Sequence, residues 1–139
     1  MSNKILDEYV QVLNDVEAKW DKLQILVELG KELPDFDEEL RNETNEVPQC
    51  TSQVYVTVSE NKGSIDMKAT ADAHIVKGYI KIYLDAFNGY SIDEFLEHAQ
   101  TDIEEFVQKT QIDSSFLSSR ANAFGNIFLF MKNKISQLR

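Results

Sequence analysis

Apolar residues recur by threes and fours at the start of the chain, at Leu6, Tyr9, Leu13, Val16, Trp20, Leu23 and Val27. That spacing places them on one face of a helix, so residues 4–33 are expected to be helical, with at most one break. Gly30 and then Pro34 mark the end. Asp35 to Glu46 is acidic, lacks any apolar period and reads as a surface loop. The pattern then changes to a period of two. Val54, Val56 and Val58 alternate with Tyr55 and Thr57, and Ile65, Met67, Ala69 and Ala71 do the same beyond Asn61-Lys62-Gly63-Ser64. Two half-buried strands joined by a tight turn, a hairpin, are the expected result.

Helical spacing returns at Ile75, Val76, Tyr79, Ile80, Tyr83, Leu84 and Phe87, with Asp72 placed to cap the helix and Asn88-Gly89 to end it. Ser91–Glu94 and Thr101–Glu104 each fit the capping box, in which a hydroxyl and a carboxylate satisfy orphan backbone donors. A last helix is expected from about Ser119, presenting Phe124, Ile127, Phe128, Met131, Ile135 and Leu138 as core. No repeat or linker divides the chain, so residues 1–139 read as a single domain. The fold class is α+β, a small antiparallel sheet packed against several α-helices.

Composition narrows what this domain does. The chain has 139 residues, 42% of them hydrophobic, enough for a core without disulfides or metals. Its net charge of −10 lacks the positive footprint that nucleic-acid phosphates demand, so no nucleic-acid partner is expected. Residues 1–50 carry 13 acids against 5 bases, whereas residues 111–139 carry 1 acid and 4 bases. The basic C-terminal helix reads as favourable charge at a helix end. The first residues lack the apolar stretch of a signal peptide, and no apolar run approaches a bilayer's thickness. A cytoplasmic protein without membrane contact is the expectation.

Most reaction classes lack parts. The five glycines are scattered and form no phosphate loop. No strand-turn-helix elbow surrounds a serine. Glu94, His98 and Asp102 stand at i, i+4 and i+8, a weak metal spacing that reads better as a solvated helix face. His74 falls in a helix's first turn, where packing or capping is the plainer role. Cys50 remains, the lone cysteine, in Val47-Pro48-Gln49-Cys50-Thr51-Ser52-Gln53 between the polar loop and the first strand. An isolated thiol cannot form an intrachain disulfide, but it can be oxidised, alkylated, act as a nucleophile or take up sulfur as a persulfide. The plain alternative is a small buried hydrophobe.

The stretch Gln49-Cys50-Thr51-Ser52-Gln53-Val54-Tyr55 resembles the SufE family, whose members carry a glycine, the acceptor cysteine, a short polar stretch and Ser-Gln-Val-Trp. Leu29-Gly30-Lys31-Glu32-Leu33-Pro34 is similar to the family's Leu-Gly…Leu-Pro segment. Ala71-Asp72-Ala73-His74-Ile75-Val76-Lys77-Gly78 is similar to its Ser-Asp-Ala…Ile-Val-Lys-Gly helix start. Leu117-Ser118-Ser119-Arg120 resembles its Leu-Ser-Pro-x-Arg region. Gln49 stands where the family has glycine, Tyr55 where it has tryptophan, and Ser119 and Ala123 where proline and glycine are frequent.

The resemblance implies a SufE/IscU-like fold and a sulfur acceptor that activates a cysteine desulfurase (SufS-like or CsdA-like). Cys50 would take the partner's persulfide sulfur and relay it to an iron–sulfur scaffold complex. The chain would then need no cofactor of its own, since pyridoxal phosphate belongs to the desulfurase. It would be a sulfur-transfer accessory protein rather than a self-contained enzyme, as a monomer or weak homodimer. Gln53, Asp72, Lys77 and Arg120 are implied as loop supports or docking residues: Gln53 ordering the loop base through its amide, Asp72 capping the helix, Lys77 presenting charge, Arg120 anchoring the loop or meeting the partner. Gly78 is expected to pack closely against the sheet. Val47, Val54 and Tyr55 suggest a loop that hides the thiol until docking. The alternatives are a docking module that accepts no sulfur, a cluster scaffold, and a thiol hydrolase that turns over alone.

Overall fold

A computed structural model, which describes residues 3–48, 50, 52–112 and 123–139, resolves the first apolar stripe into two helices. Helix α1 spans Lys4–Asn14 and α2 spans Lys19–Gly30. Asn3 caps α1, its side-chain oxygen accepting the Leu6 N–H at 3.1 Å, while its amide donates to Ala86 C=O at 3.0 Å. The break at 15–18 shifts the helical phase. Trp20, expected in the core, is therefore 76% exposed, and Leu26 becomes the fully buried residue of α2. The acidic stretch that follows contains two 3-10 turns, Glu38–Leu40 and Glu43–Asn45.

Strands β1 (Val54–Asn61) and β2 (Ser64–Ala71) pair antiparallel, Val54 opposite Ala71 and Asn61 opposite Ser64. Lys62 and Gly63 both take positive φ, 54° and 85°, as the two-residue turn matching strand twist requires. The outer edge of β2 is partly covered. Ile65 N–H donates to Tyr90 C=O at 2.8 Å, and the Asn88 side chain bonds both the N–H and the C=O of Met67. An amide side chain thus stands in for a neighbouring strand.

Helix α3 (His74–Phe87) is apolar on nearly every side and is the centre of the fold. Tyr79, Ile80, Ile82, Tyr83 and Phe87 are all fully buried. Helix α4 (Ile92–Thr110) opens with the expected Ser91–Glu94 capping box, both bonds present. The second expected box, at Thr101–Glu104, does not exist, because α4 runs through it uninterrupted. There the i to i−4 backbone ladder already takes the donors that a cap would satisfy. Helix α5 (Ala123–Gln137) packs Phe124 against Tyr83, ring centroids 4.5 Å apart, and buries Ile127, Phe128, Met131 and Ile135. Leu138 lies beyond the helix and stays partly exposed. The expected start of this helix near Ser119 falls outside the described residues. The architecture is α+β, helices on a two-stranded sheet.

Two glycines let α2 lie directly on α3. A Cβ on Gly78 would stand 2.2 Å from Leu26 C=O, and one on Gly30 would stand 2.7 Å from Lys77 Cβ. Gly78 therefore packs closely against α2, and not against the sheet as its sequence context suggests. Gly78→Ala should cost about 2–3 kcal/mol, since the obstacle is backbone and cannot turn aside. Thermal unfolding followed by circular dichroism should show Tm lowered by roughly 6–12 °C at this chain length. An unchanged Tm would contradict the close crossing.

Candidate functional site

Cys50 lies in the loop between Val47 and Gln53, just ahead of β1. Val47 N–H donates to Val54 C=O at 2.8 Å, and Glu46 bridges Tyr55 one step outside that bond. Val47 and Val54 are both buried, so the loop's two ends are fixed in the core. Beyond them, Gln53 and Asp72 form a reciprocal pair. Asp72 N–H donates to Gln53 C=O, and Gln53 N–H donates to the Asp72 carboxylate, each at 3.1 Å. These bonds fasten the loop to the junction between β2 and α3.

This geometry corrects two expectations. Asp72 does not cap α3: the cap position is Ala73, with no side-chain bond, and the Asp72 carboxylate is aimed at the loop instead. The capping geometry would need Asp72 at the residue flanking the first helical turn, one position later. Gln53 orders the loop base through its backbone, not through its side-chain amide.

The thiol itself is half-buried and packs against the edge of the hydrophobic core. Burial pushes its pKa above the ordinary thiol value, because the thiolate loses solvation as it leaves water. At neutral pH the resting group is therefore a shielded, protonated thiol and a weak nucleophile.

Lys77 sits one turn into α3, half-buried, its stem against Gly30 of α2. It makes no ion pair among the described residues. The structure thus joins Gln53 and Asp72 at the base of the Cys50 loop, and places Lys77 on the α2–α3 seam. Arg120 lies outside the described residues. His74 is exposed at the start of α3.

Of the Glu94, His98 and Asp102 spacing, the first two residues are engaged by immediate neighbours. Glu94 accepts Ser91 N–H at 3.0 Å, and His98 lies 3.7 Å from Glu97. Asp102 has its carboxyl raised above the usual carboxylate range, chiefly by burial. Among the described residues no group of three His, Cys, Asp or Glu side chains is disposed to hold a metal ion. No helix among them is long and apolar enough to cross a membrane.

Sequence reasoning missed the residues that brace the arm leading into the loop. The Asn45 amide donates to Leu40 C=O at 2.9 Å, and its oxygen accepts from Lys134 of α5 at 3.2 Å. The Arg41 guanidinium lies 6.0 Å from the centre of the Tyr55 ring, a cation over an aromatic face. The Lys134 and Tyr55 contacts join residues distant in sequence, and no periodicity announces them.

The shielding and the clamp can both be read by alkylation of Cys50. At about pH 8 iodoacetamide should react more slowly with the native protein than with the urea-unfolded chain, and the pH midpoint should fall on unfolding. Asp72→Ala removes a bond worth about 1 kcal/mol, so the native rate should rise by up to about fivefold. Equal rates in the native and unfolded chains would contradict the shielding, and an unchanged rate in Asp72→Ala would contradict the clamp.

Residues 7–135 match the family described as SufE, Fe-S metabolism associated domain. A protein of Synechocystis named as an uncharacterized SufE-like protein is 34% identical over 105 residues, covering 76% of this chain and 64% of its own length. Another so named, from Rhizobium etli, is 33% identical over 125 residues, covering 86% of this chain and 79% of its own length. A third, from Rhizobium meliloti, is 28% identical and covers 93% of both chains. The solution structure of a hypothetical protein from Thermus thermophilus superposes with a TM-score of 0.74 at 16% identity, covering 99% of this chain and 98% of that one, a likeness of fold. With the family match spanning almost the whole chain, and the lone cysteine held in a braced loop before β1, this protein belongs to the SufE family, associated with Fe-S metabolism.

Proposed function

We propose that this protein accepts sulfur from a cysteine desulfurase on Cys50, activates that enzyme by unloading it, and passes the sulfur to an iron–sulfur scaffold. The observation that carries the reading is the placement of the lone thiol in a loop whose base is braced while its cysteine stays half-exposed.

The chemistry is a displacement. The Cys50 thiolate attacks the outer sulfur of the partner's persulfide, the partner's S–S bond breaks, and its thiolate leaves with the electron pair. Cys50 then carries the outer sulfur as its own persulfide, with no net oxidation or reduction. One isolated thiol suits this step, since a second cysteine nearby would close a disulfide and release the sulfur as sulfide. The raised pKa of the resting thiol supports a division of labour. The free protein would react slowly with adventitious oxidants, and a docked partner would supply the environment that releases the proton. Lys77 and Arg120 are assigned here as docking residues, Gln53 and Asp72 as loop supports.

The half burial of Cys50 equally suits a second reading, a regulatory module that docks on a desulfurase and accepts nothing. Cysteine turnover by the desulfurase separates the two. A sulfur acceptor should stimulate turnover, and Cys50→Ser should abolish the stimulation while still binding the enzyme. Undiminished stimulation by Cys50→Ser would leave the docking module.

A further inference from the structure

Residues 34–40, the outer edge of β2 and the C-terminal half of α3 enclose an open groove of about 1110 Å³. Cys50 does not line it. The volume exceeds the roughly 300–1,000 Å³ typical of small-molecule sites. Its accessible apolar lining is Pro34, Phe36 and Leu40, while Met67, Ala69 and Leu84 behind them are buried. Six carboxylates against two lysines complete the lining.

Two of those carboxylates are already compensated. Glu38 lies 3.5 Å from Arg41, and Asp85 pairs with Lys81 at 3.1 Å while also accepting the Tyr9 hydroxyl. Asp35, Asp37, Glu39 and Asp66 make no ion pair among the described residues. Apolar surface flanked by uncompensated negative charge is complementary to a segment that alternates basic and apolar side chains.

We propose that this groove is a docking site for a basic, amphipathic segment of a partner protein, with apolar side chains seated on Pro34, Phe36 and Leu40 and cationic ones facing Asp35, Asp37, Glu39 and Asp66. A second copy of this chain is a poor occupant. Its basic C-terminal helix, α5, spends its cations internally: Lys134 on Asn45, Lys132 on Gln100, with Arg139 beyond the helix on Asp93. A polyamine would meet the charge and leave the apolar surface bare. The proposal is independent of sulfur acceptance, because the groove and Cys50 share no lining residue.

The probe is fluorescein-labelled acetyl-KLKKLLKKL-amide, followed by anisotropy at low salt, where exposed charges are least screened. Saturable binding is expected, with amide shifts in ¹⁵N spectra confined to residues 34–40, β2 and the end of α3. D37K/E39K, at two exposed positions, should weaken binding by about tenfold or more. E97K/E104K, an equal charge change on exposed positions of α4, should weaken it by less than about threefold. Replacing leucine by serine throughout the peptide should abolish binding, and Cys50→Ser should leave it unchanged. Equal weakening by the two double variants, amide shifts spread over α1 and α4, equal binding of the serine peptide or of spermine, or no saturable binding would each overturn the proposal.

Discussion

The backbone contact between Gly78 and Leu26 is the constraint on which the rest of the structure depends. It brings α2 onto α3 so closely that no side chain fits between them at the crossing. With α2 on one side and the sheet, α1 and α5 around the others, α3 is buried along most of its length. The start of α3 is thereby fixed, and with it the β2–α3 junction where Asp72 sits. Because Asp72 holds Gln53 through two bonds, the Cys50 loop takes its position from the central helix and not only from its own strand. A loop tied to the most buried element is held in place while its cysteine remains partly open to solvent.

That arrangement bears on chemistry through desolvation. A thiol at the core's edge is harder to ionise than one in water, and burial is the cause of the shift at Cys50. Such a group resists casual oxidation, which proceeds through the thiolate. It also cannot be a strong nucleophile in isolation. The proposed role resolves this by making reactivity conditional on docking, which fits a member of a family associated with Fe-S metabolism.

Much of the fold is legible in the sequence because periodicity reports burial directly. The alternation at Val54–Val58 and Ile65–Ala71 places the hairpin, and the dense apolar positions from Ile75 to Phe87 mark the helix that becomes the centre. The failures share a cause. Trp20 is expected in the core only because one stripe can be drawn through a helix break that resets the phase. Thr101–Glu104 matches a capping box whose donors an unbroken helix already uses. Asp72 sits near a helix start, and only the folded chain shows its carboxylate turned to a backbone N–H nineteen residues upstream. The lone Cys50 and its flanking residues point to the candidate site. The Asn45 and Arg41 contacts that brace the arm are made across the fold and leave no local pattern.

The most direct test of the proposed chemistry is a single-turnover transfer. A desulfurase preloaded with persulfide, freed of excess cysteine, is mixed with this protein, and intact mass is measured without reductant. The expected result is a gain of one sulfur atom, about 32 Da, on this chain, absent in Cys50→Ser and matched by loss from the desulfurase. Sulfur that stays on a desulfurase shown to bind this protein, with Cys50 reduced, would contradict a role as acceptor.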